Sequence, residues 1–364
     1  MHTMHINMMD RRRGNEQTKR MKNMKSARPS KSQFLLLAFC LVPCILFGIQ
    51  CCSFASLHVH TDATGDDPPV PPQRIIRNRN RSTVVLVLSN RTNFQPPSTE
   101  QNVVFLVVSG RGNFERRTAI RETWGFGHDN VYFVVGAACP VHPNQRTENL
   151  RCEVDPKKMV DHDEYTTYLE EEDNALTEEQ AEYQDMIFTP KEESYRSLPR
   201  KLKEAYAWTI QHTQARWIVK LDDDFFVKID AVTEYLKSHD DSVPFVVGRI
   251  MPKSRVMRKG KWAEFDFDHK FYPRFPLGSC GHAVSRPAVE YVVANKDSLF
   301  EYQGEDTSLG IWLDKAGFEV KWLTTPVFDN SRRCLSNKYY VIGHGIGPEQ
   351  MRKCHTKSAV KLSL

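Results

Sequence analysis

Charge is absent from one long stretch of this 364-residue chain, since residues 34–57 contain no Asp, Glu, Lys or Arg. About 20 apolar residues are enough to cross the hydrocarbon core of a membrane, and Pro43 is tolerable in a membrane helix. The absence of charge therefore predicts one transmembrane helix over residues 34–57. A cleaved signal peptide is the alternative, but its apolar core usually has about 7–15 residues, so the long run favours an uncleaved anchor.

Excess basic charge is lacking outside the first 33 residues. These residues hold nine Lys or Arg against two acidic residues, a net charge of +7, while the whole chain is +5, so the remainder is −2. The basic balance is therefore no argument for nucleic-acid binding, and no nucleic-acid partner is predicted. Because basic flanks stay in the cytosol, residues 1–33 are predicted to be a cytosolic tail, and everything after residue 57 lies across the membrane.

Two further absences concern cysteine spacing and repeats. The sequence has no Cys-x-x-Cys pair, which argues against a zinc ribbon, and it has no internal repeat. Disulfides are permitted in the oxidising lumen. Five cysteines follow the membrane span, and an odd number leaves at least one thiol free or paired between chains: Cys139, Cys152, Cys280, Cys334 and Cys354.

Residues 58–100 are predicted to be a luminal stem, because Pro68–Pro72 is typical of an extended spacer. Asn80 and Asn90 begin Asn-x-Ser/Thr sequons and are predicted glycosylation sites once they reach the lumen. Residues 101–364 are then long enough for one large domain. Within it, residues 161–185 hold eleven acidic residues and no Lys or Arg. Part of this segment could be helical, but charge repulsion favours a solvated, mobile stretch there, so its first part is predicted to be a surface insertion and not a metal site.

Alternating apolar segments predict an α/β fold with a mostly parallel central sheet and helices on both faces. The predicted strands are Val103–Ser109, Val131–Val135, Trp217–Leu221, Phe245–Val247 and Val320–Leu323. The predicted helices are Phe114–Thr123, Leu198–His212, Ala231–His239, Pro287–Asn295 and Thr307–Ala316. In such sheets ligands bind beyond the carboxyl ends of the strands.

Three carboxylates stand at the end of one predicted strand, in Lys220-Leu-Asp-Asp-Asp. Hard oxygen ligands there suit Mg²⁺ or Mn²⁺, and Asp222 and Asp224 are the candidate ligands. Earlier, Arg116–Gly125 follows a strand and opens a helix. Arginines at such a junction can bind a diphosphate with fork geometry, assisted by the helix N-terminus.

Together these motifs resemble glycosyltransferase family 31, the inverting β-1,3-galactosyl- and N-acetylglucosaminyltransferases. The complete Arg-x-x-Ile-Arg-Glu-Thr-Trp motif begins at Arg117, and similar segments follow at Tyr272-Pro, Gly278–Ser285 and Gly304–Gly310. His282 stands where the family usually has Tyr, in a segment expected to line the sugar site. The segment from Cys334 to His355 looks like the tail of the β-1,3-galactosyltransferases that act on the proteoglycan linker.

The resemblance implies a GT-A (Rossmann-like) catalytic domain, a UDP-sugar donor and Mn²⁺. It implies Asp222, Asp224 and His344 as metal ligands, with His355 as the second choice for the histidine, and Asp223 as a donor contact or support of the metal. It further implies Asp306 as the catalytic base, which could equally cap its helix, and Glu305 as its supporting carboxylate. Arg117, Arg121 and Lys220 are predicted donor contacts. Trp262 and Tyr272 are predicted acceptor-stacking surfaces, with core packing as the equal alternative.

The function expected from this resemblance is transfer of galactose from UDP-galactose, in β-1,3 linkage, onto a glycan acceptor carried by protein or lipid. A β-1,3-N-acetylglucosaminyltransferase is the alternative within enzymes, and a non-catalytic luminal lectin or chaperone is the alternative outside them. A nuclease or phosphatase that uses the Asp cluster is disfavoured, because the sequence has no second cluster of metal ligands with suitable spacing. The expected location is the Golgi membrane, as a single-pass type II protein, and a homodimer stays open.

Overall fold

The computed structural model describes residues 102–147, 151–155, 157–158, 162–332 and 338–362. These residues belong to one compact unit. The predicted tail, membrane span and stem lie outside the described residues, and so do the sequons at Asn80 and Asn90. Among the helices that are described, none combines the length and the apolar character that a membrane crossing needs.

The described strands, in chain order, are β1 (Val103–Val108), β2 (Val131–Ala137), β3 (Met186–Glu192), β4 (Trp217–Asp222), β5 (Phe226–Val227), β6 (Phe245–Gly248), β7 (Ile250–Met251), β8 (Ser254–Arg255), β9 (Phe271–Tyr272), β10 (Phe275–Pro276), β11 (His282–Ser285), β12 (Lys321–Thr324), β13 (Phe328–Asp329) and β14 (Val341–Ile342). The described α-helices are α1 (Phe114–Glu122), α2 (His162–Tyr183), α3 (Leu198–His212), α4 (Ile229–Lys237), α5 (Arg286–Ala294), α6 (Glu305–Asp314) and α7 (Pro348–Leu362).

Seven of these strands form the central sheet in the order β12-β6-β11-β4-β1-β2-β3. Every neighbouring pair is parallel except the two pairs that β11 makes with β4 and β6. The prediction of an α/β fold with a mostly parallel sheet is confirmed. Val108 lies opposite Asp222 in the register of β1 and β4, so the loops that follow these two strands meet at one edge of the sheet.

Both faces of the sheet are covered, which explains why its central strands are almost continuously apolar. One core contains Phe105, Phe133 and Trp217, and the other contains Leu106, Ile218 and Trp312. Burial of this kind contributes roughly 25 cal/mol for each Å² of apolar surface removed from water. The strand ends are therefore held rigidly, and the loops beyond them are where chemistry can be placed.

The predicted helices and strands agree with the structure to within two residues at most ends. The sequence prediction does not include β3, β11 or α7. Short strands give a weak periodic signal, and β11 has only four residues between a glycine motif and α5. It is also the antiparallel strand of an otherwise parallel sheet, which alternation of strands and helices cannot reveal.

The acidic segment is helical over a longer stretch than predicted, and although most of it is exposed, two of its residues are buried. It forms the 22-residue helix α2, in which Leu176 and Glu179 are buried. Its acidic side chains face arginines from the β1–α1 region: Glu172 and Asp173 pair with Arg111, and Glu179 pairs with Arg117. Opposite charges from a distant part of the chain therefore remove the repulsion that its local sequence implies.

Candidate active site

The three consecutive carboxylates leave the end of β4 in different directions. Asp223 is 5% exposed and turns toward the loop after β1. Its Oδ2 accepts hydrogen bonds from Ser109 Oγ and Asn113 Nδ2, both at 2.8 Å. Its Oδ1 accepts one from Arg116 at 2.9 Å. Asp223 therefore ties the ends of β1 and β4 together, and it holds Arg116 at the sheet edge.

Asp222, Asp224 and His344 converge on one point. Their ligand atoms all lie within 4.8 Å of one another, and His344 Nδ1 is 3.0 Å from Asp224 Oδ2. The segment after β14 brings the histidine here, because Gly345 donates its backbone N–H to the same Asp224 oxygen at 2.9 Å. Gly343 passes so close to the Phe225 ring that a Cβ would lie 2.2 Å from it, so only glycine fits. By contrast, His355 lies exposed on α7 and is outside this group.

The donor set at this point fits a divalent cation. The other carboxylate oxygen of Asp224, Oδ1, is buried and has no hydrogen-bond partner. Buried polar atoms are normally satisfied, and an exception calls for an explanation such as an ion. Burial raises the pKa of Asp222, and the charges of Glu305 and Asp224 add to that effect against the opposing charge of Lys220. Two carboxylates and an imidazole suit Mn²⁺, and a cation there would relieve the excess negative charge.

Lys220 connects this group to a second pair of carboxylates. Its Nζ donates to Asp222 Oδ1 and to Glu305 Oε1, both at 2.7 Å. Burial alone would lower the pKa of Lys220, but the two carboxylates outweigh it and raise the pKa. The lysine is 1% exposed. Its predicted direct contact with the donor therefore does not agree with the structure, which places it beneath the site as a charged link.

Glu305 and Asp306 begin helix α6 and have opposite electrostatic environments. Burial would raise the pKa of Glu305, but Lys220 holds it below its usual range. The pKa of Asp306 is raised to about 6, by burial and by the negative charge of Glu305. Asp306 Oδ2 accepts from the backbone N–H of Gly278 at 3.0 Å, and Oδ1 accepts from that of Thr307 at 2.7 Å. Two neighbouring carboxylates whose pKa values are moved apart in this way are typical of active sites, where the group with the higher pKa exchanges a proton and the other stays ionised.

Arg117 and Arg121 are not donor contacts in this structure. Arg117 is completely buried and makes two 2.8 Å hydrogen bonds to the carboxylate of Glu179. Arg121 binds Glu179 and Asp185, and it lies about 6 Å further along α1, at 1.5 Å per residue. Both arginines attach α1 to the acidic helix. Arg117 also donates to Ser109 Oγ at 3.1 Å and to the Gly110 carbonyl at 2.7 Å, so it supports the loop after β1 from within the core.

Arg116 is the arginine that reaches the site, and the sequence prediction did not select it. It is 37% exposed, 2.9 Å from Asp223 and 3.9 Å from Asp224. Helix periodicity contains the signal that could have identified it. Arg117, Ile120 and Trp124 follow the i, i+3, i+7 spacing of a buried face and are buried, whereas Arg116 lies beside that face.

The two predicted acceptor surfaces differ in exposure. Trp262 is 55% exposed, and its Nε1 donates to Tyr195 Oη at 3.1 Å. The pKa of Tyr195 is raised by burial and by the charges of Glu305 and Asp306, which places this aromatic pair near the candidate base. Tyr272 is 7% exposed and packs in a core cluster, stacked on Phe267 with ring centroids 5.5 Å apart. For Tyr272 the core-packing alternative is confirmed.

His282 also differs from its expected position at the sugar site. It is completely buried in β11, opposite both Lys220 and Gly248. Burial and the charge of Lys220 lower its pKa to about 3, so the ring is neutral. Neither ring nitrogen has a hydrogen-bond partner. His282 therefore lies beneath the Lys220–Glu305 link and does not line the surface above it.

The cysteines of the described region include one disulfide between Cys139 and Cys152. Cys354 is also disulfide-bonded, and Cys280 is a buried free thiol. The predicted free cysteine is therefore present. Two cavities, of about 730 and 500 Å³, lie apart from the carboxylates. The larger is lined by residues such as Arg121, Phe126 and Tyr183 at the far end of α1, so size alone does not identify the site.

Comparison with known proteins finds similar sequences. The galactosyltransferase family model matches residues 165–324, a span that includes Asp222–Asp224 and Asp306 but not the Arg116–Gly125 motif or His344. The chain is 31% identical over 220 residues to UDP-GalNAc:beta-1,3-N-acetylgalactosaminyltransferase 2 of Xenopus laevis, covering 59% of this chain and 44% of that protein. It is 35% identical over 163 residues to the Homo sapiens protein of the same name, covering 44% of this chain and 32% of that protein.

A further relative is matched over most of its length. The chain is 28% identical over 269 residues to Beta-1,3-galactosyltransferase 6 of Mus musculus, covering 70% of this chain and 73% of that protein. The chain spans less than half the length of the N-acetylgalactosaminyltransferases that it matches. The family model and these relatives support membership of glycosyltransferase family 31, the family that the sequence motifs resemble.

Proposed function

We propose that this chain transfers a hexose from a UDP-sugar to a glycan hydroxyl in β-1,3 linkage, with inversion, through a GT-A catalytic domain. One observation carries the proposal. Asp222, Asp224 and His344 form a ligand group, and Lys220 links this group to the carboxylates at the start of α6. These contacts support a leaving-group site and a base site that lie side by side at the edge of the sheet.

Asp222, Asp224 and His344 would hold Mn²⁺. When bound, the ion supplies positive charge that stabilises the departing diphosphate. Arg116 lies at the same edge and is partly exposed, so its guanidinium can donate to the diphosphate in fork geometry. Asp223 keeps Arg116 and Asn113 in place, and its role is to position the donor side of the site.

Asp306 is the proposed base. The acceptor oxygen forms a bond to the anomeric carbon of the donor, the bond from that carbon to the UDP oxygen breaks, and the acceptor proton passes to an Asp306 carboxylate oxygen. Its raised pKa, about 6, makes it a stronger base than an ordinary carboxylate, close to the optimum near the working pH. Glu305 stays ionised because it pairs with Lys220. The lysine therefore binds Glu305 and not Asp306.

Galactose is the donor sugar that the sequence motifs favour, and N-acetylgalactosamine is a second candidate. The named relatives with at least 31% identity are N-acetylgalactosaminyltransferases, whereas the named galactosyltransferase is 28% identical. N-acetylglucosamine stays as the third donor. A lectin or chaperone without turnover is the alternative outside enzymes. The intact ligand group and base speak against that alternative.

Activity assays with the full chain, purified in detergent, test the proposal. UDP release is measured with UDP-galactose, UDP-N-acetylgalactosamine and UDP-N-acetylglucosamine, each with and without a β-galactosyl-xyloside or a β-N-acetylglucosaminide acceptor. Acceptor-dependent release that disappears on chelation supports the enzyme, and the preferred donor identifies the sugar. Release with none of these combinations, from protein with an intact thermal transition, would contradict the proposal.

A Golgi membrane location, type II and single-pass, is part of the same proposal. It rests on the basic residues 1–33 and the uncharged residues 34–57. A C-terminal epitope tag should be protected from antibody when only the plasma membrane is permeabilised, and should co-localise with a Golgi marker. Accessibility of the tag in those cells would reject this orientation.

A further inference from the structure

A cavity of about 500 Å³ lies beside the aromatic pair Trp262 and Tyr195, and we call it the basic cavity. It is separate from Asp222–Asp224 and Asp306, none of which lines it. Arg196 connects the two regions: it follows Tyr195 in the chain, lines the cavity, and donates to the carbonyl of Ala263 at 3.1 Å. Tyr195 stands between the lining residues Ser194 and Arg196, so a molecule in contact with Tyr195 and Trp262 would lie next to this cavity.

The lining of the basic cavity carries more cations than anions. Its three carboxylates are outnumbered by five cations: Arg151, Lys191, Arg196, Arg200 and Lys203. Arg200 and Lys203 share the single carboxylate of Glu301. The N-terminus of α3 adds partial positive charge, since Ser197 immediately precedes the helix and also lines the cavity. The formal charges of the lining residues therefore sum to +2, five minus three, while Glu192 pairs with Lys191 from outside the lining.

Part of this charge is fixed in place, and part is exposed. Lys203 is 4% exposed and is held by Glu301 and by the carbonyls of Lys296 and Leu299. By contrast, Arg200 and Lys191 are nearly half exposed, and their ion pairs with Glu301 and Glu192 lie at the surface, where such pairs are weak. Phe300, 53% exposed, also lines the cavity and offers an apolar ring face. Fixed positive charge, exposed donors and an aromatic face together suit an acidic sugar.

We propose that the basic cavity binds an anionic substituent of the acceptor, so that the preferred acceptor is an acidic glycan carrying phosphate, sulfate or carboxylate. The inference rests on the proposed function and names its substrate class. The volume lies within the range of about 300–1,000 Å³ typical of ligand sites. We expect the anionic group to bind away from the reacting hydroxyl, because Asp306 does not line the cavity, whereas Ser194 and Arg196, on either side of Tyr195, do.

The test compares the full chain with a variant carrying Lys191→Gln, Arg196→Gln and Arg200→Gln. The acceptors are a neutral β-galactosyl-xyloside and the same disaccharide carrying one phosphate, one sulfate or one uronate. The native chain should use at least one acidic acceptor with about tenfold higher kcat/KM than the neutral one, as two or three charge-assisted contacts predict. The triple variant should bring this ratio to about 1 while leaving the neutral acceptor unchanged. The acidic acceptor with the highest kcat/KM identifies the anionic group that the cavity binds.

Arg216→Gln is the matched control, because Arg216 is exposed and pairs only loosely with Asp241 at 3.5 Å. It should keep the tenfold preference. Thermal unfolding checks that the triple variant folds, and single variants replace it if it does not. Equal use of neutral and acidic acceptors by the native chain overturns the inference. Binding of the chain to anionic phospholipid vesicles that the triple variant loses, without any preference among glycans, also overturns it.

Calorimetric titration of the acidic and neutral disaccharides, without donor, separates this inference from the proposed function. Tighter binding of the acidic disaccharide, lost in the triple variant, supports the cavity even if no donor is turned over, and in that case the proposed function fails alone. If all acceptors are used at the same rate and bind equally well, the proposed function holds, and the inference of an acidic acceptor is wrong.

Discussion

At the scale of single residues, the carboxylates of Glu305 and Asp306 show how neighbours in sequence receive different chemistry. Glu305 contacts the buried Lys220 and Asp306 does not, so the pKa falls for one and rises to about 6 for the other. The same scale separates Arg116, which faces Asp223, from Arg117, which is enclosed by Glu179. Adjacent residues of one type therefore hold different roles.

We expect the rate of transfer to rise with pH through about 6, because Asp306 must lose its proton to act as base. Asp306→Asn should lower kcat about 10²–10⁴-fold and leave UDP binding intact. Asp314→Asn, at the other end of the same helix, is the control. Measured pH profiles of kcat/KM test this. A profile in Asp306→Asn that keeps the native acid limb would rule out Asp306 as the base.

The protonation of Asp306 should also affect stability, but stability should fall over the pH range in which the rate rises. The folded pKa of Asp306 lies above the ordinary carboxyl value of about 3.9, so between pH 4 and 6, roughly, the folded state binds more protons than the unfolded state. Its contribution to the free energy of unfolding therefore falls as pH rises through that window. Urea unfolding of the native chain and of Asp306→Asn, at several pH values, measures the difference.

Arg116→Ala should raise the KM for the UDP-sugar about tenfold or more, since a hydrogen bond to a charged group contributes about 1.5–3 kcal/mol. The melting temperature should change little, because Arg116 is partly exposed. Arg117→Met should lower the melting temperature and change the KM little, since it removes one of the arginines that pair with the buried Glu179. Steady-state kinetics and thermal scans of Arg116→Ala and Arg117→Met test both expectations. Equal effects of both variants on KM would remove the distinction drawn here.

At the scale of elements, helix α2 holds the β1–α1 region by charge. Arg111, Arg117 and Arg121 each reach a carboxylate of α2, and α1 begins with the residues that bind Asp223. The acidic helix thus supports the donor side of the site without contacting it.

Glu179→Gln should destabilise the fold by about 3 kcal/mol, because it removes the charge that two arginines share in a buried setting. Its exposed neighbour provides the control, and Glu178→Gln should change stability by less than about 0.5 kcal/mol. Chemical denaturation measures both. Although burial would raise the pKa of Glu179, the two arginines hold it below its usual range. Its stabilisation is therefore present above the ordinary Glu pKa, and it is lost as pH falls through the lowered value.

At the scale of the whole molecule, three distant segments meet at the ligand group: the end of β4 and the segment after β14 supply it, and α6 is linked to it through Lys220. A cation bound there should therefore stabilise the entire fold. At about 100 times its Kd, Mn²⁺ would add about 2.7 kcal/mol, or about 5 °C in Tm for a domain of this size.

Thermal scans with and without Mn²⁺ test this expectation without any activity assay. Asp224→Asn should abolish the shift and His344→Gln should reduce it. Asp240→Asn, at an exposed carboxylate paired with Lys321, should leave it unchanged. A shift of the same size in all three variants would place the ion elsewhere.

The sequence by itself determined the α/β class and most helix and strand positions, and its resemblance to a known family pointed to Asp222, Asp224 and His344, whose ligand atoms lie close together. It could do so because apolar periodicity and short motifs are local, and because parallel strands bring their carboxyl ends to one edge. Only the tertiary structure decided which charged residues face the site. Arg117, Arg121 and Lys220 are cations that the sequence presents as donor contacts, yet each pairs with a carboxylate that lies 58 to 85 residues away in the chain. Burial and pairing are set by such distant partners, and no local pattern encodes them.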